Sequence, residues 1–345
     1  MTGIYIHVPF CKRKCPYCDF YSVCRPELYE DYTQAVCRNI QAFRGRGIKC
    51  DTIYFGGGTP SVLSAEQIDR IIDTAGKCFD LCQPEITLEA NPSSADREKM
   101  SGWRKAGVTR LSFGVQSAND RELGFLGRLH DFSQAKSAVE TAAQALESLW
   151  DSIESLTALP VDHISAYMLK IEKGTAFDCD EMRNAVADDD MLCDMYLQTV
   201  GQLASKGFLQ YEISNFAKEG GKSRHNLKYW HGEEYIGIGP SAHSFFDNER
   251  YYCKSDVEEF ISDKVQSMVV LEDDPDKAEE YVMLGLRLTE GIDIGKAEEL
   301  GGKELGENIR KKAALFQKQG LCVVEKGILR LTPAGFLASN SIIGE

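Results

Sequence analysis

Apolar residues follow two alternating spacings through the first third of the chain. Ile4–Val8 and Thr52–Phe55 are short apolar runs of strand length, whereas Glu27–Phe43 has its apolar residues at helical spacing. Ser64 and Gln67 have the spacing of a capping box in front of the next helical pattern. The alternation continues with a strand at Glu85–Ala90, a helix at Ala95–Ala106 and a strand at Leu111–Val115. Strands that alternate with helices predict βαβ units, and hence an α/β fold with a parallel sheet in a barrel-type arrangement.

The alternation stops between Gly127 and Pro160, a stretch that contains neither Gly nor Pro. Two helical patterns, Ser133–Ala145 and Glu147–Leu159, follow each other there without a strand between them. The next strand is predicted at His163–Leu169. A helical stretch of that length is rare in a compact α/β domain, so this region departs from the regular pattern.

The last part of the chain predicts a small domain of its own. Helical patterns at Ala278–Leu288 and Lys303–Lys318 precede strands at Leu321–Val324 and Gly327–Leu331, which a tight turn connects. Helices followed by a hairpin resemble a winged-helix module. The expected domains are a barrel with an extension at 1–255, an acidic linker at 256–277 and the winged-helix-like domain at 278–345.

Composition narrows the class of protein. The chain has 345 residues, 43% of them hydrophobic, and a formal net charge of -14, which argues against a nucleic-acid partner. No apolar run reaches the length of a membrane span, and the N-terminus has no secretory signal pattern. Most of the cysteines are scattered, which is typical of reduced thiols rather than a disulfide framework. A cytoplasmic protein is therefore expected.

Three cysteines lie directly behind the first strand pattern. Cys11, Cys15 and Cys18 have the spacing C-x₃-C-x₂-C. Three thiols are one too few for a tetrahedral zinc site or an all-thiolate iron–sulfur cluster, but a cubane held by three thiolates leaves its fourth iron open to a small molecule. Loop cysteines without a metal, or a zinc site completed by a distant residue, are the alternatives.

The residues around these cysteines carry a family resemblance. The run Y-I-H-V-P-F-C-x₃-C-x-Y-C-D-F, from Tyr5 to Phe20, resembles the radical S-adenosyl-L-methionine (SAM) enzymes. Within that superfamily it is similar to the branch of the oxygen-independent coproporphyrinogen III oxidases and the HemW-type haem chaperones. The resemblance implies a [4Fe-4S] cluster on the three cysteines and an exchangeable SAM on its open iron. It also implies a partial (β/α)6 barrel, from which one strand-plus-loop unit is missing between the equivalents of Ala145 and Leu146.

Candidate SAM residues lie at the ends of the predicted strands. Gly56-Gly57-Gly58-Thr59 follows the second strand, where backbone without side chains can approach a ligand, although many simple turns have the same composition. Glu89 ends the third strand and Gln116 the fourth. The resemblance implies SAM contacts from residues along this rim: Tyr5, Tyr17, Gly57, Gly58, Thr59, Glu89, Gln116 and Arg128. One further Asp contact of the family would belong to the missing unit.

A second cluster follows later in the chain, at His225-Asn-Leu-Lys-Tyr229-Trp230. An imidazole is the commonest axial ligand of haem iron, and two aromatic rings could form the wall of a porphyrin pocket. The alternative is a packed loop in which His225 bonds to the backbone. The pattern H-N-x-x-Y-W resembles the signature that separates the haem chaperones from the oxidases, and therefore implies haem contacts from His225, Tyr229 and Trp230.

Three functions from different classes are compatible with these features: a haem chaperone, a coproporphyrinogen decarboxylase, and a radical SAM enzyme on another substrate. The second cluster favours the chaperone, as does Phe20, which occupies a position where the oxidases carry a fourth cysteine. The expected partners are haem, a haem-acceptor protein, and an electron donor if SAM is cleaved. No nucleic acid is expected, and any peripheral membrane contact would come through the acceptor.

Overall fold

The computed structural model describes residues 1–94, 97–117, 119–127, 151–185 and 189–344. Its strands are, in chain order, β1 (Thr2–Val8), β2 (Lys49–Gly57), β3 (Asp80–Ala90), β4 (Arg110–Phe113), β5 (His163–Ser165), β6 (Leu209–Gln210), β7 (Asn215–Ala217), β8 (Tyr235–Ile238), β9 (His243–Phe246), β10 (Glu249–Cys253), β11 (Met268–Asp273), β12 (Ile292–Asp293), β13 (Cys322–Glu325) and β14 (Ile328–Leu331).

Its α-helices are α1 (Tyr29–Gln41), α2 (Ala65–Cys78), α3 (Arg97–Lys105), α4 (Asp120–Phe125), α5 (151–157), α6 (Asp180–Ala185), α7 (Asp189–Ser205), α8 (Arg224–Trp230), α9 (Val257–Ser262), α10 (Lys277–Gly285), α11 (Ile294–Lys318), α12 (Pro333–Leu337) and α13 (Ser339–Gly344). Contacts divide the described chain into two compact units. The first contains 1–127, Ile171–Cys179 and Glu233–Asp274, and the second contains 151–170, Asp180–Gly232 and 275–344.

An eight-stranded sheet forms the centre of the first unit, in the order β4-β3-β2-β1-β8-β9-β10-β11. The five strands from β4 to β8 in this order are parallel, and β9 to β11 extend the sheet in antiparallel fashion. Every residue of β1 except Tyr5 is buried, as expected for the inner strand of a parallel sheet covered on both faces. The predicted α/β fold is therefore confirmed.

Local sequence signals account for the helices that cover this sheet. At the start of α2 the Ser64 hydroxyl accepts from the Gln67 N–H at 3.2 Å, and the Gln67 side chain accepts from the Ser64 N–H at 2.9 Å. This is the predicted capping box, and loss of such a cap typically costs about 1 kcal/mol. Ile68 and Ile71 of the same helix are completely buried in the core.

The segment His163–Leu169 differs from its prediction as the next strand of the parallel sheet. Only His163–Ser165 forms a strand, and it pairs antiparallel with β7 in a separate three-stranded sheet of order β5-β7-β6. The Ala166 N–H still donates to the Ser214 carbonyl at 2.9 Å, after which the side chains of Tyr167, Met168 and Leu169 are exposed. Strand propensity predicted the extended backbone but not the pairing partner. The helix predicted at Ser133–Ala145 and the position of the missing unit lie outside the described residues.

The predicted acidic linker at 256–277 contains α9 and β11, and β11 is the edge strand of the large sheet. The C-terminal part has the elements expected of a winged-helix-like module. In it α10 and α11 precede the hairpin β13–β14, whose turn places Lys326 and Gly327 at φ 51° and 83°. Among the described residues, no helix combines the length and the apolar character that a membrane span requires.

Candidate cofactor site

The carboxyl ends of β1 and β2 are tied together by the backbone. The Gly58 N–H donates to the Val8 carbonyl at 2.9 Å, and the Thr59 N–H donates to the Phe10 carbonyl at 2.7 Å. Because the cysteine loop begins directly behind Phe10, these bonds place the glycine loop against it. The Cys11 Sγ and the Thr59 Oγ1 are 3.3 Å apart and share a hydrogen bond.

A small open cavity lies at this junction. It is lined by Cys11, Arg13, Lys14, Cys15, Tyr17, Cys18, Gly58, Thr59, Asn91 and Gly127. Six of the residues expected to bind the cluster or SAM are thus gathered around one space. Asn91 was not among the predicted residues, although its place directly after a strand end was a signal that could have identified it.

The three cysteines of the cavity are partly buried and form no disulfide bond with one another. The Cys18 N–H donates to the Cys15 carbonyl at 3.1 Å, which folds their loop into a turn. Burial raises the pKa of the Cys18 thiol, although a hydrogen bond from the Phe20 backbone N–H opposes the change. Within the described ranges, no three His, Cys, Asp or Glu side chains converge on a single metal ion. Three thiolates are the ligand set that a cubane with one open iron would use.

Glycine is required at two positions of the loop after β2. At Gly57 the backbone φ is 104°, in the region that other residues avoid. At Gly58 an added Cβ would lie 2.6 Å from the Phe10 carbonyl oxygen, which is backbone and cannot move aside easily. The triple glycine is therefore more than a generic turn, because it permits the close approach between this loop and the cysteine loop.

Glu89 belongs to a hydrogen-bonded group beside the cavity. Its carboxyl group accepts from the Tyr54 hydroxyl at 2.7 Å and from the Gly57 N–H. Burial raises the pKa of Glu89 to about 7, although both hydrogen bonds oppose the change. The Tyr5 ring stacks on the Tyr54 ring with centroids 6.2 Å apart, and its hydroxyl lies 3.2 Å from Nδ1 of His7. Tyr54 was not predicted, although it pairs with Tyr5 in register across β1 and β2.

Of two other predicted SAM residues, one is placed away from the cavity lining and one is not described. Gln116 is exposed, has a φ of 75°, and does not line the cavity. Arg128 lies outside the described residues. Their SAM contacts stay predictions.

The predicted haem residues share the short helix α8 of the second unit. Its N-cap is Ser223, whose hydroxyl accepts from the Asn226 N–H. His225 is completely buried, and its Nε2 lies 2.8 Å from the Tyr229 hydroxyl, with the two rings in an edge-on arrangement. Trp230 is partly exposed, and the Arg287 guanidinium lies 6.0 Å from its ring centroid. The three residues are neighbours, but Nε2 of His225 is already hydrogen-bonded to the Tyr229 hydroxyl.

The other histidines that the structure describes also have partners. His163 Nε2 lies 2.8 Å from the Tyr211 hydroxyl, and His231 Nε2 lies 2.7 Å from a Glu290 oxygen. The His7 Nε2 lies 3.1 Å from the Tyr21 carbonyl oxygen, and burial lowers the pKa of His7. The His243 ring stacks on Tyr252. These contacts give each ring a structural role.

Comparisons with known proteins agree with this architecture. The fold is similar to that of coproporphyrinogen III oxidase (HemN) from Escherichia coli, with a TM-score of 0.75 over 99% of this chain and 89% of that chain, at 18% identity. A family model of the radical SAM superfamily matches residues 5–157, and one of the HemN C-terminal domain matches residues 273–338. The family matches identify the class as the radical SAM proteins.

Sequence relatives narrow the family. The chain is 38% identical to the heme chaperone HemW of Haemophilus influenzae over 70% of this chain and 69% of that protein. It is 31% identical to the heme chaperone HemW of Bacillus subtilis over 100% of this chain and 98% of that protein. The chain belongs to the HemW family. The alignment with the Bacillus subtilis protein spans 376 positions, so that relative has residues without a counterpart among the 345 of this chain.

Proposed function

We propose that this chain is a haem chaperone, which binds haem and transfers it to an acceptor protein. In this proposal it carries a [4Fe-4S] cluster on Cys11, Cys15 and Cys18 and an exchangeable SAM. The cavity that gathers the three thiols with Gly58 and Thr59 is the observation that carries the cofactor assignment. The name shared by relatives that align with nearly the whole chain supports the chaperone assignment.

The residues of the cavity fit the two cofactors chemically. When bound, a cluster with SAM on its open iron supplies one-electron cleavage of a carbon–sulfur bond of SAM. The protein holds the cluster with its three thiolates, and Thr59 donates to or accepts from the Cys11 sulfur. The glycine loop lets the ligand approach the backbone, and Glu89 offers a carboxyl group to the cationic amino group of SAM. Tyr17 closes one side of the cavity.

For haem, we propose the surface of Tyr229 and Trp230, with the buried His225 in contact with Tyr229 behind it. The partly exposed rings of Tyr229 and Trp230 can cover a porphyrin face. Through Nε2, His225 can reach iron only when its hydrogen bond to the Tyr229 hydroxyl is broken. Haem binding therefore involves a local rearrangement of α8. We further propose a cytoplasmic location, an acceptor protein that brings any membrane contact, and an electron donor for the cluster.

Phe20 favours the chaperone over the oxidase reaction. Its side chain is 64% exposed beside the cysteine loop, at the position where the resemblance places a further cysteine in the oxidases. A phenyl ring can neither ligate iron nor transfer a proton. We therefore propose that the protein does not decarboxylate coproporphyrinogen.

Anaerobic reconstitution followed by haem titration tests the proposal. The wild type should acquire the absorbance of an iron–sulfur cluster and bind haem. Cys11→Ala should lose the cluster absorbance, whereas Cys82→Ala, which changes a thiol outside the cavity, should keep it. The double variant His225→Ala, Trp230→Ala should lose haem affinity but retain the cluster. An unchanged haem titration in the double variant would exclude this haem surface, and normal iron content in Cys11→Ala would exclude the cluster assignment.

A further inference from the structure

An arginine of the second unit lies beside the indole ring of Trp230. The Arg287 guanidinium is 6.0 Å from the centroid of that ring, and the residue is partly buried. Arg287 follows shortly after the end of α10, whereas Trp230 is the last residue of α8. Two helices that are distant in the chain thus bring a cation next to the proposed haem surface.

Hydrogen bonds fix both the backbone and the side chain of Arg287. Its N–H donates to the Leu284 carbonyl at 3.1 Å, and its carbonyl accepts from the Ile213 N–H at 3.1 Å. In the side chain, Nη2 donates to Oδ1 of Asn340 at 3.2 Å. The guanidinium is therefore held in place before a ligand binds, which lowers the entropy that binding costs.

The charge of Arg287 has no carboxylate partner within the part of the chain that the structure describes. Another arginine of the same unit does have one, since Arg310 bonds to Glu298 at 2.6 Å. Glu290, the acidic residue closest to Arg287 along the chain, instead lies 2.7 Å from Nε2 of His231. A guanidinium bonded only to a neutral amide is suited to a carboxylate ligand, because its N–H donors form a fork that matches the two oxygens.

We propose that Arg287 binds a propionate group of the haem that lies on Tyr229 and Trp230. The inference rests on the proposed function, since it presumes haem on that surface. Haem combines an apolar ring with two carboxylates at one edge, so its site needs a cation beside an aromatic wall. The net charge of -14 makes most of this chain unfavourable to an anion, so a local cation determines which way the propionate edge points.

Two lysines that precede α8 are placed less suitably for a propionate. Lys218 donates to a backbone carbonyl at 3.0 Å, and its Nζ is 4.6 Å from the centroid of the Phe208 ring. The Nζ of Lys222 is 5.7 Å from the centroid of the Tyr211 ring. Both ammonium groups therefore lie over rings outside the proposed haem surface, whereas Arg287 lies beside it.

Esterified haem tests this contact, because methylation of both propionates removes their charge and leaves the ring and the iron unchanged. Haemin and haemin dimethyl ester are titrated into the wild type, Arg287→Gln and the control Arg310→Gln, which removes the same charge from an exposed position of α11. The preference for haemin over the ester should fall at least about tenfold in Arg287→Gln and stay unchanged in the control. Affinity for the ester should be equal in all three proteins, because the ester forms no ion pair.

Asn340→Asp provides a second variant that leaves Arg287 in place. Its new carboxylate can pair with the guanidinium and compete with the propionate, so the preference for haemin should fall here too. Asn308→Asp makes the same change at an exposed position of α11 and should keep the preference. This pair of variants decides the question if Arg287→Gln does not fold.

Three results would overturn the propionate contact. An equal loss of haemin and ester in Arg287→Gln would limit the arginine to supporting Trp230. An unchanged preference in both Arg287→Gln and Asn340→Asp would mean that another group binds the propionate. A wild type that binds neither compound would refute the proposed function, and the contact with it, whereas the first two results leave haem binding itself intact.

Discussion

Phe177 is bonded to the cysteine loop from a distant part of the chain. Its backbone N–H donates to the Pro16 carbonyl at 3.2 Å, and its ring packs against Tyr17. Phe177 is the only buried residue of Ile171–Cys179, and its bond and ring contact join this segment to the loop that carries Cys15 and Cys18. The segment also has a hydrogen bond of its own, in which the Asp178 carboxyl group accepts from the Gly174 N–H at 2.9 Å.

We expect Phe177→Ala to shorten the lifetime of the cluster in air. Removal of the ring opens the side of Tyr17 to solvent and leaves a space that typically costs about 3 kcal/mol of unfolding free energy. Cluster absorbance should therefore decay severalfold faster after exposure to air. Phe177→Leu should give an intermediate rate, because it restores part of the cover. A variant with wild-type cluster lifetime would mean that Phe177 merely fixes the loop from which it projects.

We expect Gly58→Ala, which adds a single methyl group, to disturb the cavity strongly. The new Cβ would meet the Phe10 carbonyl at 2.6 Å, directly before Cys11, so either the glycine loop or the cysteine loop must shift. We expect loss of SAM binding by calorimetry and a lower melting temperature. The matched control is Gly201→Ala in α7, where nothing lies within 4 Å of the added Cβ, and where alanine favours the helix by up to about 1 kcal/mol. Equal effects of the two substitutions would argue against the close approach of the loops.

The raised pKa of Glu89 predicts that the free energy of unfolding depends on pH. Its pKa in the folded protein is about 7, above the ordinary value of 4.5, so the folded state holds this proton more tightly than the unfolded state does. Its contribution to stability is therefore largest below pH 4.5 and falls as the pH rises to about 7, at no more than about 1.4 kcal/mol per pH unit. Above pH 7 it stays constant.

Glu89→Gln isolates this contribution, because the amide can still accept from the Tyr54 hydroxyl but does not titrate. The difference in unfolding free energy between wild type and variant, measured by denaturant titration from pH 4.5 to 8, should follow the predicted fall. A difference that is flat over this range, or one that grows with pH, would show that Glu89 is ionised in the folded protein.

The parts that could be predicted from the sequence are those that local spacing encodes. The capping box at Ser64, the first four strands and the cysteine loop depend on residues close together in the chain. Tyr54 and Phe177 were missed because their roles arise from register across strands and from packing over a long sequence separation. His163–Leu169 has the composition of a strand, but its partner is chosen by tertiary structure. The burial of His225 likewise could not be read from H-N-x-x-Y-W.

The hydrogen bond between His225 and Tyr229 leads to a prediction about haem affinity. If His225 ligates haem iron, haem must compete with the Tyr229 hydroxyl for Nε2. Tyr229→Phe removes that competitor and retains the ring, so haem affinity should rise, by about fivefold if the bond is worth about 1 kcal/mol. His225→Ala should weaken binding and shift the Soret band, because the axial ligand is lost. Both variants are titrated with haem and compared by absorbance. Unchanged affinity in Tyr229→Phe, together with an unshifted Soret band in His225→Ala, would limit His225 to holding α8 in place.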